Sequence, residues 1–279
     1  MERSKQGCIA NGFLSLLTLA AGVLFLAPMY IVVVNAFKTP METAQSILAF
    51  PQRLNLNNFE KAVEVTNFFV TLKNSMIVTV ASVLLIVVCS SMAGYIICRK
   101  SRCRLYRIMD ILLMSGMMIS FQMIMIPIYR IMKNMSLLNT YTGAVILMVG
   151  TSVSYATFLY VGFTKTIPLE LEEAARIDGC GVYKTFWLIV FPLMKPITAT
   201  VAALHMLWMW NEFNIGLIVL QKKNMRTIPM QQFYFFGQHV SNMNAAFAAA
   251  CLSLIPVVIF FFLTQKSIAG GMTAGAIKG

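Results

Sequence analysis

Charge is scarce in this chain. Asp, Glu, Lys and Arg make up 11% of its 279 residues, against about 25% in a typical soluble domain. Hydrophobic residues make up 58%, and the mean hydropathy is +0.75. A water-soluble core cannot hide that much apolar surface, so the bilayer is the expected solvent. Acid is the scarcer charge: 10 Asp and Glu stand against 22 Lys and Arg, a net charge of +12. In a soluble protein that surplus would raise nucleic acid as a partner. Here no basic stripe carries interleaved aromatics, and the cations flank apolar stretches. They therefore read as membrane-orientation signals, and no nucleic-acid partner is expected.

Other absences narrow the function. There are two histidines, and His239 has no ligand partners at useful spacing, so no metal site is expected. The six cysteines, Cys8, Cys89, Cys98, Cys103, Cys180 and Cys251, include no tight pair that reads as zinc ligands or a redox dithiol. None falls in the loops expected outside the cell, so no external disulfide is expected. The chain lacks Gly-x-x-x-x-Gly-Lys-Ser/Thr, so it should not hydrolyse ATP itself. No apolar stretch carries paired His or Asp at catalytic spacing, which argues against a membrane-embedded enzyme. No alternating ten-residue pattern reads as a β-barrel. The internal repeat of many secondary transporters is not visible.

Six apolar stretches are present, near 13–36, 74–98, 108–132, 141–163, 193–220 and 245–264. Each approaches the roughly 20 residues that a spanning helix needs. The expected fold is therefore an all-α membrane protein with six transmembrane helices. Arg3 and Lys5 precede the first stretch, as in a signal peptide, but Phe13–Phe37 is too long for the ~7–15-residue apolar core of one. It reads as an uncleaved first span. The dense cluster Arg99, Lys100, Arg102, Arg104 and Arg107 places the segment after the second span inside. Both termini and the polar segment 165–192 then lie on the cytoplasmic side.

Residues 1–70 form the N-terminal tail, first span and a long external loop, and 71–264 form a five-span core. Residues 265–279 form a cytoplasmic tail. The external loop 37–73 is charge-balanced and punctuated by Pro40 and Pro51. Its Asn55-Leu56-Asn57-Asn58 run before Phe59 predicts a short capped helix.

The segment 165–192 has the clearest local grammar. Pro168 suits a first helical turn, and Glu170, Glu172 and Glu173 follow, favourably placed against the helix dipole. Glu172 and Arg176 are four apart in the favoured order. Ala174 and Ala175 make a small-residue face, suited to insertion in a partner's groove or to an ordinary interfacial helix joining two spans. Gly179 can end the helix in the left-handed region. A second helix is expected over about Val182–Val190, with Pro192 marking the entry to the fifth span.

The spacing of Glu173-Ala174-Ala175, Gly179, Ile189 and Phe191-Pro192 resembles the cytoplasmic signature of binding-protein-dependent ABC importer permeases, specifically the sugar-type branch. Phe191 departs from the usual Leu. Leu137-Leu138-Asn139-Thr140-Tyr141, Trp210-Asn211-Glu212-Phe213 and the tail Gly271–Gly279 resemble the same branch, and the likeness covers most of residues 10–279. It implies a type I importer permease in the plasma or inner membrane. It also implies a second, different permease subunit, two ATP-binding subunits that use ATP and Mg, and an extracellular solute-binding protein. Glu173, Ala174, Ala175, Gly179, Ile189 and Pro192 would couple to the ATPase. The tail, with Thr273, Gly275 and Lys278, would reach between the ATPase subunits. No cofactor is expected on this chain itself.

Within the spans, Glu212 is the only acidic residue of the last three. An ionisable side chain at mid-bilayer costs roughly 2.5–3.5 kcal/mol on insertion scales and tends to face the bundle interior. His205, Trp208 and Glu212 fall at i, i+3 and i+7, one helical face, with Asn211 beside them. That face suits a polar, sugar-like solute or hydrogen bonding between helices. Gln122 and Tyr129, around Pro127, are further pathway candidates. Asp110 is expected to pair with Arg107, and the methionines of 109–135 to pack or form an adaptable surface. The rival reading of the whole chain is a stand-alone secondary transporter or channel for a small polar solute.

Overall fold

The computed structural model describes residues 2–238 and 242–276, and among them all regular structure is helical. In chain order the helices are α1 (Glu2–Ala36), α2 (Pro40–Gln45), α3 (Asn57–Thr66), α4 (Phe68–Arg99), α5 (Arg104–Gly116), α6 (Phe121–Asn134) and α7 (Tyr141–Thr164). They continue as α8 (Glu170–Ile177), α9 (Val182–Thr185), α10 (Phe191–Leu193), α11 (Lys195–Trp210), α12 (Asn214–Val219), α13 (Ile228–Gln238) and α14 (Met243–Ala276). Four segments are long and apolar enough to cross a membrane: Leu14–Ala36 of α1, α4, α7 and Met243–Phe262 of α14.

Two bent pairs bring the number to six if each is one span. The apolar stretch 108–132 is not one straight helix, because α5 and α6 meet at 106°. Gly116 weakens the helix there, and Ser120 takes an extended conformation (φ −67°, ψ 135°) as the N-cap of α6. The Val182–Leu193 segment and α11 meet at 75°, with Met194 between Pro192 and Pro196. Each proline removes a donor that a continuous helix would use. The expected Arg107–Asp110 pair is not formed: the ion pair found among the described residues joins Arg99 and Glu172.

Contacts divide the chain into two compact units, Met1–Phe68 with Gln232–Pro256, and Phe69–Gln231 with Val257–Gly279. In the first unit, Ala36, Ala62, Ala248 and Ala249 form a buried cluster flanked by Phe37, Phe59, Phe247, Cys251 and Leu252. Small residues let helix backbones approach closely where no hydrophobic driving force separates lipid from protein. The last carbonyls of α1 have no intrahelical donors. Two asparagines supply them. Asn58 Nδ2 donates to the Ala36 and Lys38 carbonyls, each at 2.8 Å. Asn244 Nδ2 lies 2.9 Å from the Asn35 carbonyl, 3.0 Å from that of Lys38 and 2.7 Å from Thr43 Oγ1.

The loop beyond α1 is organised by polar side chains too. Buried Lys38 donates through Nζ to the Ser46 and Ile47 carbonyls, at 2.9 and 3.3 Å. Thr39 and Glu42 form a reciprocal cap on α2. Hydrogen bonds, first from the Thr39 backbone N–H and then from its hydroxyl, hold the Glu42 carboxyl below its usual range. This cap is therefore in place at neutral pH and lost as acid protonates the carboxylate. The expected helix after Asn55 is α3. Asn55 Oδ1 accepts from the Asn57 N–H at 3.0 Å, just ahead of its first turn.

In the second unit, α7 packs against α5, α11 and α12. The buried side of α4 mixes small and polar residues, Thr71, Asn74, Ser75, Thr79, Ser82, Ser90, Ser91 and Gly94, with the larger Val78, Val83, Ile86, Tyr95 and Ile97. At Gly94 the helix α4 lies tightly against α7. A Cβ added there would sit 2.6 Å from the Tyr160 Cβ, and that rigid atom cannot swing aside. Tyr160, fully buried, donates its hydroxyl to Thr198 Oγ1 on α11 at 3.0 Å. Asn74 ties the 224–226 segment to α4 through the Asn224 and Arg226 carbonyls, and accepts from the Tyr141 hydroxyl at 2.7 Å.

These arrangements set the expected stability of three variants. Asn244→Leu should lower stability by about 1–3 kcal/mol, because it strands buried carbonyls. Asn57→Leu, at an exposed neighbour of Asn58, should stay within about 0.5 kcal/mol. Gly94→Val should cost about 1–3 kcal/mol or more through forced separation of α4 and α7. Thermal unfolding of the detergent-solubilised protein reads all three, and an unchanged Tm for Asn244→Leu or Gly94→Val would refute the corresponding contact.

Candidate functional site

The segment between α7 and α11 forms a short helix, a glycine turn and a second, wider helical stretch. Helix α8 ends in a Schellman motif. The Cys180 N–H donates to the Ala175 carbonyl at 2.8 Å, and the Gly179 N–H to that of Arg176 at 3.0 Å. Gly179 adopts φ +83°, in the left-handed region that L side chains rarely enter. Nothing lies within 4 Å of where its Cβ would be, so the backbone angle, not space, calls for glycine here.

The second stretch is not the uniform helix expected over Val182–Val190. Its α-helical part is α9, and Phe186–Val190 forms a π turn. The Phe191 N–H reaches back to the Phe186 carbonyl. Pro192 explains the widening. It has no N–H for the Leu188 carbonyl, and its ring would crowd that carbonyl in a tight turn. Ile189 is half-buried in this turn, and Pro192 is exposed. Phe186, Trp187 and Phe191 stack on one another with ring centroids 5.0–5.9 Å apart.

The acidic face of α8 divides between two environments. Glu173 and Ala174 are exposed, whereas Glu172 is fully buried and Ala175 is 3% exposed. The two alanines therefore do not form one docking face: Ala174 faces out and Ala175 packs inward. Glu172 does not form its expected pair with Arg176. Its Oε1 accepts from Arg99 Nε at 2.6 Å, and its Oε2 accepts from the Tyr95 hydroxyl at 2.7 Å. Arg99 also donates through Nη2 to the Ile167 carbonyl at 2.9 Å. The Tyr95 ring lies 5.2 Å from Phe186. The end of α4 thus grips both halves of the segment. The sequence alone does not reveal this pairing, because Arg99 lies in a basic cluster that reads as a topology signal, 73 residues from its partner.

The exposed tip is apolar. Ile177 is 87% exposed, Tyr183 75% and Val182 54%, around Gly179. Arg176, Asp178 and Lys184 are exposed beside them.

The membrane cluster is only partly as expected. His205 is fully buried, with Nδ1 2.8 Å from the Val201 carbonyl. Trp208 is 48% exposed and lies directly against His205, ring centroids 5.3 Å apart, and Tyr155 of α7 packs on both, 5.2 Å from Trp208 and 6.1 Å from His205. Glu212 does not share their helix. The helix α11 stops at Trp210, and Glu212 lies in the break before α12. There its Oε1 accepts from the Ile215 N–H at 3.1 Å, supplying one of the donors left free at the start of α12. Asn211 is exposed and donates to the Leu207 carbonyl. Gln122 and Tyr129 are on α6, which packs against α12, and Gln122 accepts from the Ser120 hydroxyl. Thr273 and Gly275 lie on the backbone of α14, with side chains outside the described set, and Lys278 and His239 lie outside the described residues.

Comparison with known proteins places this architecture. Residues 86–273 match the model of the binding-protein-dependent transport system inner membrane component family. The chain is 37% identical to the probable starch degradation products transport system permease protein AmyC of Thermoanaerobacterium thermosulfurigenes, covering 95% of this chain and 96% of that one. It is 34% identical to the melibiose/raffinose/stachyose import permease protein MelC of Bacillus subtilis, again over 95% and 96%. It is 36% identical to the multiple sugar-binding transport system permease protein MsmG of Streptococcus mutans, over 92% and 93%. Its fold superposes on a chain of a bacterial ABC transporter involved in the import of the acidic polysaccharide alginate, with a TM-score of 0.79 at 22% identity, covering 92% of this chain and 96% of that one. This chain, a multi-pass membrane protein, therefore belongs to the binding-protein-dependent transport system inner membrane components.

Proposed function

We propose that this chain is one permease subunit of an ATP-driven importer whose cargo is a sugar or oligosaccharide. The observation that carries this reading is end-to-end similarity, at 34–37% identity, to permeases named for sugar uptake. A second, different permease subunit completes the pathway. Two ATP-binding subunits supply the energy with ATP and Mg, and an extracellular binding protein delivers the solute. The termini and the α8–α10 segment face the cytoplasm, in keeping with the basic cluster Arg99–Arg107.

Coupling runs through the α8–α10 segment. Glu173, Ala174 and the exposed tip of Ile177, Tyr183 and Val182 around Gly179 meet the ATPase subunit. Ala175, Ile189 and Pro192 act from behind, shaping the segment that carries this surface. The mix of exposed apolar and charged side chains fits a protein partner in water better than a lipid surface. The tail with Thr273, Gly275 and Lys278 is a second contact with the ATPase pair. On the cargo side, Trp208 offers an aromatic face with Asn211 nearby, a pairing suited to the apolar and hydroxyl faces of a sugar ring. His205 and Tyr155 both back that face, and Glu212 shapes the helix break beside it. Gln122 and Tyr129 line another part of the same pathway.

Two experiments test this. Purification from native membranes should recover an ATPase subunit with this chain, and sugar uptake should stop on ATP depletion. Uptake that survives ATP depletion and follows an ion gradient would overturn the proposal in favour of a stand-alone transporter. Gly179→Pro forces φ to about −65° and deletes the Gly179 N–H bond. Both it and Ala174→Arg should abolish uptake and ATPase co-purification while the protein still inserts. Normal transport in both variants would sink the coupling role.

A further inference from the structure

The α8–α10 segment is covalently continuous with α7 and α11, so those two helices are its obvious outputs. The contacts at the end of α4 add a third. Glu172 is completely buried, and each of its carboxylate oxygens accepts one bond from α4, from Arg99 and from Tyr95. Arg99 also holds the Ile167 carbonyl at the entry to the segment, and the Tyr95 ring packs on Phe186 at its exit. We infer that Glu172, Arg99 and Tyr95 form a rigid joint through which movement of the segment is passed directly to α4. They are positioning residues, acting through α4 rather than on solute or nucleotide.

Physical chemistry favours a positional role over a stabilising one. Burying an ion pair costs about as much desolvation as its attraction returns, so it adds little to stability. Breaking it is costly, because the lone buried charge stays behind. The geometry is also directional: two separate bonds to one carboxylate fix distance and angle, which an apolar contact does not. Tilting α8 away from α4 would strand Glu172 in the protein interior. The low-energy motion is therefore α8 and α4 moving together. Because α4 meets α7 at Gly94 with almost no clearance, a displaced α4 also displaces the α7 surface.

This inference rests on the reading that the segment docks on an ATPase, and its test separates the two. The assembled transporter, with both permeases, its ATPase subunits and its binding protein, is reconstituted in vesicles. Solute moved per ATP hydrolysed is measured. Glu172→Ala removes both acceptors and leaves Arg99, whose side chain is 17% exposed, able to reach water. The expected result is a transport-to-hydrolysis ratio at least about fivefold lower, with the ATPase subunits still bound. An unchanged ratio overturns the joint.

Should the variant not assemble, spin labels at Arg102→Cys and Glu170→Cys, both exposed, decide with the joint intact. Their distance should be the same in nucleotide-free and ATP-trapped complexes, and a shift between those states overturns the joint. Ala174→Arg serves as the control. If it releases the ATPase while Glu172→Ala transports at the normal ratio, the joint fails and the docking reading stands. If it leaves binding and transport normal, the docking reading itself fails and takes the joint with it.

Discussion

A backbone carbonyl or N–H that leaves its helix in apolar surroundings has no water to turn to. This chain leaves helices repeatedly, and several of these exits are covered by a polar side chain from elsewhere. The end of α1 is covered by Asn58 and Asn244. The 224–226 segment is covered by Asn74, and the Lys222 N–H by Asn139 Oδ1 at 2.8 Å. The break before α12 is met by Glu212, and the Ile167 carbonyl by Arg99. Most of these side chains are amides. An amide carries donors and an acceptor without a net charge, so it can be buried at low cost when both ends are used.

Glu212 shows how this constraint changes a functional reading. By spacing it shares a face with His205 and Trp208. The helix stops two residues short of it, and its carboxylate turns to the start of the next helix. An acidic residue in an apolar stretch is therefore accounted for by backbone satisfaction before any cargo is invoked. The aromatic pair of Tyr155 and Trp208 needs no such explanation. It keeps an exposed ring face where a polar neighbour, Asn211, is also exposed.

What was legible in the sequence was what is local. The glycine turn at 179 was readable because a helix with acid at its start and glycine at its end encodes its own stop. Apolar stretches long enough to span were readable because length and composition suffice. The bend of 106° within 104–134 was not, because an average over a window blurs Gly116 and Ser120 into their apolar neighbours. The Glu172 partner was not legible either. Spacing offered Arg176 at i+4, a solvent-exposed pairing worth only ~0.2–0.5 kcal/mol. Burial against α4 offered two bonds from residues far away in sequence, and tertiary geometry prevailed. The same burial split Ala174 from Ala175, adjacent residues that point to different faces of a helix only one of which is covered.

Exposed apolar surface means different things along this molecule, and its neighbours decide which. Phe25, 81% exposed on α1, sits in a run without charges and is at home against lipid. Ile177 is 87% exposed but stands between Arg176 and Asp178, and Tyr183 stands beside Lys184. Charged neighbours in the first and last turns keep that surface out of the hydrocarbon. An apolar tip held in water by its flanking charges carries a standing hydrophobic cost of about 25 cal/mol per Å² until something covers it. The hydrogen-bonded turn at Gly179 and the buried contacts of Glu172 hold the tip in one orientation. A partner that docks there then meets a preorganised surface, and spends little of its binding energy on ordering it.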